Sequence, residues 1–335
     1  MYSINILDQS PVAVGETPAE ALRNTVKLAE TAEACGYDRF WVSEHHDTPS
    51  LAGSSPEVLL AHIAAKTSTI KLGSGGVLLP HYSAYKVAEQ FKVLSALAPG
   101  RIELGVGRAP GGMPRATMAL QEGTKRDVAR YPEQIEDVLS YLHDTLEEHH
   151  PYYGLKATPQ VAEPPQMWIL ASTPGSAELA AKEGLPLCFA HFINPADGRE
   201  AVDYYLKNFT PSPGLPEPKL MIAVFVVCAD TEEKAEEEAL IMDDVLLSIE
   251  YGKQIEGIPT KEEVAMKSYT SFEQDRIKQN RERMFVGTGD SIRQQVDHLQ
   301  HFYPTENWMF VSLARDFEMK RQGYEQISNS FFDHV

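Results

Sequence analysis

Residues 4–43 open on Ile4-Asn5-Ile6-Leu7, pass through Thr17-Pro18-Ala19-Glu20 to Gly36, and close on Arg39-Phe40-Trp41-Val42-Ser43. The two ends are short apolar runs with the length and β-branched or aromatic content of strands. Between them, Thr17 and Glu20 are spaced as a capping box, Pro18 fits the first helical position, and Gly36 supplies a stop. Leu22, Val26, Ala29 and Ala32 then fall on one face at helical spacing. Strand, helix and strand in this order form the unit of a parallel sheet wrapped in helices.

The same rhythm continues outward. A helix starts near Ser55-Pro56-Glu57, a third strand runs from Lys71 to Leu79, and a helix covers Ser83 to Ser95. Ile102 to Val106, Met167 to Leu170 and Leu187 to Ala190 read as strands four to six, with helices at Tyr131 to Leu146, Pro174 to Gly184 and Ala196 to Phe209. Leu220 to Val227 and Asn307 to Ser312 supply strands seven and eight. This alternation predicts a (β/α)8 TIM barrel with an insertion between strands 7 and 8; a doubly wound open sheet uses the same units but does not close. The insertion holds an acidic helix from Thr231, an unassigned stretch from Tyr251 to Lys278 and a helix starting near Asp290. So long a connection is either a mobile lid or a packed surface insertion. Its run Glu232 to Glu238 reads as a solvated helix face.

The 335 residues are expected to form one domain, 1–335, with 43% hydrophobic residues available for a core. No apolar run reaches the roughly 18 residues of a membrane span. A formal net charge of -18 repels both nucleic acid and anionic lipid, so neither is an expected partner. Met1-Tyr2-Ser3-Ile4-Asn5 has no basic stretch followed by an apolar segment, so a cytoplasmic location is expected. Cys35, Cys188 and Cys228 are too far apart for a zinc or disulfide framework and read as small core residues.

In a β/α barrel the reactive residues gather where strands lead into helices, around one shared mouth. That rule selects Ser43-Glu44-His45-His46-Asp47, Pro80-His81-Tyr82, Gly107-Arg108-Ala109-Pro110-Gly111-Gly112 and Ser172-Thr173-Pro174-Gly175-Ser176. Adjacent histidines in extended chain point to opposite sides and do not readily share a metal ion. The histidines are therefore structural, or one of them bonds or transfers a proton at a strand end. Ser172 to Ser176 is an ordinary helix cap or an anion site whose backbone amides point outward. Arg108 and Arg130, one in the loop after strand four and one beginning the next helix, carry forks suited to phosphate. Neither Gly73-Ser74-Gly75-Gly76 nor Gly105-Val106-Gly107-Arg108-Ala109-Pro110-Gly111 has dinucleotide-fingerprint spacing. Glycine within a strand instead signals strain, a bulge, or a flat ligand against the backbone. Tyr82, Phe189, His191 and Trp308 are candidate pocket residues, each equally explained by core packing.

Taken in order, Glu44-His45-His46, Leu72 to His81, Ala88-Glu89-Gln90, Pro99 to Gly111 and Gly184-Leu185-Pro186 resemble the bacterial luciferase-like flavin-dependent monooxygenase family over nearly the whole chain. The resemblance implies a flavin-bearing barrel with a long insertion between strands seven and eight. It places His45 beside the reactive face of the flavin, a non-prolyl cis peptide at Gly75-Gly76 under the ring, and the FMN phosphate on Arg108, Arg130, Thr173 and Ser176, with Ser172 nearby. It implies reduced FMN delivered by a separate flavin reductase, a C4a-hydroperoxide formed with O2, and oxygenation of a small organic substrate. A homodimer is expected by the same analogy. The light-emitting subunit has a reactive cysteine where this chain has Gly107, a departure that speaks against carrying over light emission or a long-chain aldehyde preference. Two other activities remain open by analogy: hydride transfer with the deazaflavin F420, and flavin binding without catalysis.

Overall fold

A computed structural model describes residues 2–109, 111–112, 114–123 and 127–332; Pro110 of the strand-four motif lies outside them. The strands are β1 (Ser3–Asp8), β2 (Arg39–Val42), β3 (Lys71–Ser74), β4 (Val77–Leu78), β5 (Ile102–Gly107), β6 (Gln166–Ala171), β7 (Leu187–Ala190), β8 (Leu220–Cys228), β9 (Met284–Gly287) and β10 (Asn307–Val311). They pair in the order β10-β1-β2-β3-β5-β6-β7-β8, and β8 pairs back with β10. All these pairings are parallel, so the sheet closes into the expected TIM barrel.

Around it lie α1 (Pro18–Ala34), α2 (Pro56–Ala64), α3 (Ala84–Leu97), α4 (Pro114–Leu120), α5 (Tyr131–His143), α6 (Pro174–Lys182), α7 (Gly198–Asn208), α8 (Glu232–Glu250), α9 (Lys261–Ala265), α10 (Ser271–Arg281), α11 (Gly289–Leu299) and α12 (Phe317–Phe331). The capping box foreseen at Thr17 and Glu20 is present, with Glu20 N donating to the Thr17 hydroxyl at 3.3 Å. Among the described residues, no helix is long and apolar enough to cross a membrane.

Strand residues alternate between two cores because successive side chains point to opposite faces and both faces are covered. Ile4, Ile6, Phe40, Leu104, Phe189 and Trp308 pack outward against the helices. Leu7, Trp41, Trp168, Met221 and Met309 fill the barrel interior. Deep inside, Arg39 Nε lies 3.0 Å from Glu103 Oε1, Trp41 Nε1 donates to Glu103 Oε2 at 3.0 Å, and Arg39 Nη1 donates to Asn5 Oδ1 at 3.2 Å. A buried ion pair this well bonded plugs the end of the barrel away from the loops.

Several elements differ from the sequence expectation. The third strand is not continuous over 71–79: it breaks at Gly75-Gly76, and the short β4 resumes against β5, with Val77 opposite Val106. The helix expected to reach Leu146 stops at His143, where Asp144 turns left-handed at φ 57°. The unassigned stretch contains α9 and α10, each with its own capping box, at Thr260/Glu263 and Thr270/Glu273. The unforeseen β9 pairs with the upper half of β8, on the side opposite β10, since Phe225 opposes both Met284 and Val311. The equally unforeseen α12 closes the circuit beside α1, where Tyr37 donates its hydroxyl to Tyr324 O at 2.8 Å.

Candidate active site

The strand ends and the insertion enclose a cavity of about 660 Å³. Its barrel side includes Leu7, Trp41, Ser43, Glu44, His45, Gly75, Gly76 and Gly107, and its rim includes Arg108, Ser172, Thr173 and Ser176. The structure therefore brings seven of the eight sequence-selected site residues to one cavity. The eighth, Arg130, is outside the lining: its side chain is 64% exposed and its Nε lies 2.9 Å from Glu133 Oε2.

His45 follows β2 and lines the cavity together with Ser43 and Glu44. Its Nδ1 stands 3.0 Å from the Ser43 hydroxyl, and its backbone N donates to Gly53 O at 2.8 Å. Burial, with a smaller push from His46, lowers its pKa to about 4. The ring is thus neutral at neutral pH. When Ser43 donates to Nδ1, the imidazole proton sits on Nε2, which makes that nitrogen a donor.

Glu44 ties the loops together. Its side chain is 1% exposed, and Oε1 accepts from the Tyr82 hydroxyl at 2.6 Å and lies 2.7 Å from His46 Nε2. Oε2 accepts from Leu78 N at 3.0 Å, so β2 and β4 are held by one carboxylate. The two histidines therefore have separate partners, Ser43 and Glu44.

The Gly75-Gly76 peptide is cis, where the resemblance placed it. A Cβ on Gly76 would stand 2.7 Å from Gly105 O, and one on Gly105 only 2.0 Å from Ser74 O, so backbone lies against backbone across β3 and β5. Gly107 differs: an added Cβ would meet nothing within 4 Å, although the residue is buried and lines the cavity. The space above it is a cradle that a side chain would fill and a flat ligand could occupy.

At the rim, Thr173 is the N-cap of α6 yet makes no side-chain cap hydrogen bond, in contrast to Thr17, Thr231 and Thr288. Its hydroxyl, the free amides of the first helical turn and the nearby Arg108 compose a site with the chemistry to bind an anion. Arg108 also offsets part of the burial that raises the Tyr131 phenol, whose buried oxygen has no partner.

The aromatic pocket candidates are corrected by the geometry. Tyr82, Phe189, His191 and Trp308 do not line the cavity; Cys188, Ala190, Phe192 and Met309 do. Phe189 and Trp308 lie one strand position away from cavity residues and so face the helix layer, while His191 bonds the Tyr303 hydroxyl at 2.9 Å. Sequence reasoning also missed the wall supplied by the insertion, namely Val245, Leu246, Ile249, Glu250, Ile255 and Arg283. The signal was the apolar content of the second half of α8, beyond its acidic start.

Comparison with known proteins gives concordant matches. The model of the luciferase-like monooxygenase family matches residues 2–306. YwcH, an uncharacterized protein of Bacillus subtilis (strain 168), is 50% identical over 333 residues, covering 99% of this chain and 100% of that protein. The N-acetyl-S-alkylcysteine monooxygenase of the same organism is 38% identical over 335 residues, with 98% of each chain covered. The crystal structure of apo-MsnO8 superposes with a TM-score of 0.87 at 33% identity, covering 99% of this chain and 98% of that one. Two more distant structures share the fold: the oxygenating constituent of 3,6-diketocamphane monooxygenase from Pseudomonas putida, in complex with FMN, at 18% identity, 100% and 99% coverage and a TM-score of 0.72; and an F420-dependent secondary alcohol dehydrogenase at 13% identity, 99% coverage of each chain and a TM-score of 0.65.

Proposed function

This chain belongs to the luciferase-like monooxygenase family, and from that premise we propose that it is an FMN-dependent monooxygenase acting on a small organic substrate, with residues 1–335 as one catalytic domain. The observation that carries the reading is the pairing, within one cavity, of the open cradle above Gly107 with the uncapped start of α6. A flat ring with an anionic tail matches that pairing. When bound, reduced FMN supplies two electrons, so that one atom of O2 enters the substrate and the other leaves as water.

The protein's own residues divide the remaining work. Arg108, Ser172, Thr173 and Ser176 hold the phosphate through a guanidinium fork, hydroxyls and first-turn amides. Arg130 joins them only by leaving Glu133, its partner at 2.9 Å. Gly75, Gly76 and Gly107 form the floor, where the absence of side chains permits close approach. His45 donates from Nε2 while Ser43 fixes its Nδ1. The buried Leu246 and Ile258 of the lining keep water from that region, which strengthens every polar contact inside it.

FMN is favoured over F420 because the relatives above 30% identity include a named monooxygenase, whereas the F420 enzyme quoted shares only the fold. A separate reductase as the source of reduced FMN, and a homodimer, complete the proposal. The test is calorimetric titration with FMN and F420, followed by turnover of N-acetyl-S-alkylcysteines with reduced FMN in air and under argon. FMN uptake and oxygen-dependent product are expected. Turnover that persists under argon, or F420 uptake without FMN uptake, overturns the reading.

A further inference from the structure

The wall that the insertion gives to the cavity is apolar at Val245, Leu246, Ile249, Ile255 and Ile258, and Arg283 interrupts it. The Arg283 side chain is only 12% exposed. Its Nη2 lies 2.6 Å from Glu250 Oε1 and 2.8 Å from Asn280 Oδ1, and Nη1 donates to Ile193 O at 3.3 Å. Its Nε is buried without a partner.

Glu250 does not neutralise Arg283 by itself, because Arg276 claims the same carboxylate, with Nε 2.7 Å from Oε2 and Nη2 2.8 Å from Oε1. Asn280 Nδ2 adds a neutral donor at 3.2 Å. Two guanidinium groups on one carboxylate leave a positive surplus, whereas Lys253, exposed in the same lining, has the Glu273 carboxylate close by. A surplus charge beside apolar surface is costly unless a further anion arrives. Burial holds the Arg283 guanidinium below its ordinary pKa despite the opposing pull of Glu250. The other lining carboxylate of low exposure, Glu44, is occupied by Tyr82, His46 and Leu78 N.

We propose that Arg283 is a specificity-determining residue that receives the carboxylate of an otherwise apolar substrate whose chain lies along Ile249 and Ile255. This rests on the monooxygenase reading and adds the substrate class to it. Arg283 belongs to the insertion, between α10 and β9, whereas the anion assigned to the start of α6 meets the barrel, and the FMN titration below separates the two assignments.

Octanoate and octanamide serve as probes, because they share a chain and differ in charge. Each is titrated by calorimetry at pH 7 into the protein with and without FMN. Octanoate is expected to bind at least about tenfold more tightly than octanamide, as a charge-assisted contact implies. Arg283→Gln is expected to bring that ratio to about one by weakening the acid alone, and Arg283→Lys to keep most of it. Equal affinity for acid and amide in the unmodified protein, an unchanged ratio in Arg283→Gln, or no uptake of either probe at millimolar concentration overturns the proposal. FMN titration of Arg283→Gln is run alongside. Unchanged FMN affinity supports the assignment to substrate, and loss of FMN with the acid-to-amide ratio intact overturns it. Acid-selective uptake by a protein that takes up no FMN leaves the anion site standing and removes the flavin reading.

Discussion

The Ser43 hydroxyl stands 3.0 Å from Nδ1 of His45, two residues along the same strand end. The contact orients a ring that burial keeps neutral, with a pKa near 4 against an ordinary value of 6.5. A neutral buried histidine binds fewer protons than its unfolded counterpart between those two pH values, so stability falls as pH drops through the window. The stabilisation is complete above pH 6.5 and amounts to at most roughly 3 kcal/mol. Urea unfolding at pH 7, 5.5 and 4.5 is expected to show a shallower acid-side decline for His45→Gln than for the unmodified protein. An identical slope in both rules out His45 as the source.

Phosphate recognition is tested by comparing FMN with riboflavin. Arg108→Ala should weaken FMN by about 1.5 to 3 kcal/mol while leaving riboflavin little changed, since one charge-assisted contact is lost. Arg130→Ala should have a smaller effect, because that guanidinium is exposed and already engaged by Glu133. Fluorescence titration with both ligands gives the comparison, and equal loss of FMN and riboflavin in Arg108→Ala contradicts it.

Gly105 and Gly107 are two residues apart and should respond oppositely. Gly105→Ala drives a Cβ to 2.0 Å from Ser74 O, a backbone atom that cannot give way, and should cost at least about 1 to 3 kcal/mol. Gly107→Val meets no atom within 4 Å of its Cβ and should fold normally yet lose FMN. Thermal melts paired with FMN titration distinguish the two behaviours; FMN binding unchanged in Gly107→Val means that the cradle is not the flavin site.

The insertion is held by Arg281, whose Nε and Nη2 lie 2.7 and 2.8 Å from the two Asp243 oxygens. Arg281→Met strands a carboxylate that is 4% exposed and should destabilise the protein by about 3 kcal/mol. Adding Asp243→Leu should restore much of the loss, because the uncompensated charge then disappears. Unfolding curves that show no recovery in the double variant refute this account.

The barrel was legible because its strands are short apolar runs separated by helices with clear caps, as at Thr17 and Glu20. The loop residues were legible because barrel geometry assigns strand ends to the mouth, which located His45, Arg108 and Thr173 without knowledge of their partners. Strand parity was not legible: β7 and β10 are buried on both faces, so nothing in Leu187-Cys188-Phe189-Ala190 distinguishes inside from outside. The size of Phe189 and Trp308 suggested a pocket, while Cys188 and Met309 occupy it. Three missed helices had signals, the Thr260/Glu263 box before α9, the Thr270/Glu273 box before α10 and the buried Lys320, Tyr324 and Ile327 spacing in α12. The four residues of β9 had none, since their pairing depends on the upper half of β8.

That parity has a practical corollary for engineering. A randomised library that samples Cys188, Ala190 and Met309 while sparing Phe189 and Trp308 would remodel what the enzyme accepts and leave its outer shell cohesive. Half the positions on each staves of the barrel are thus open to retailoring, and their immediate neighbours are committed to holding it shut.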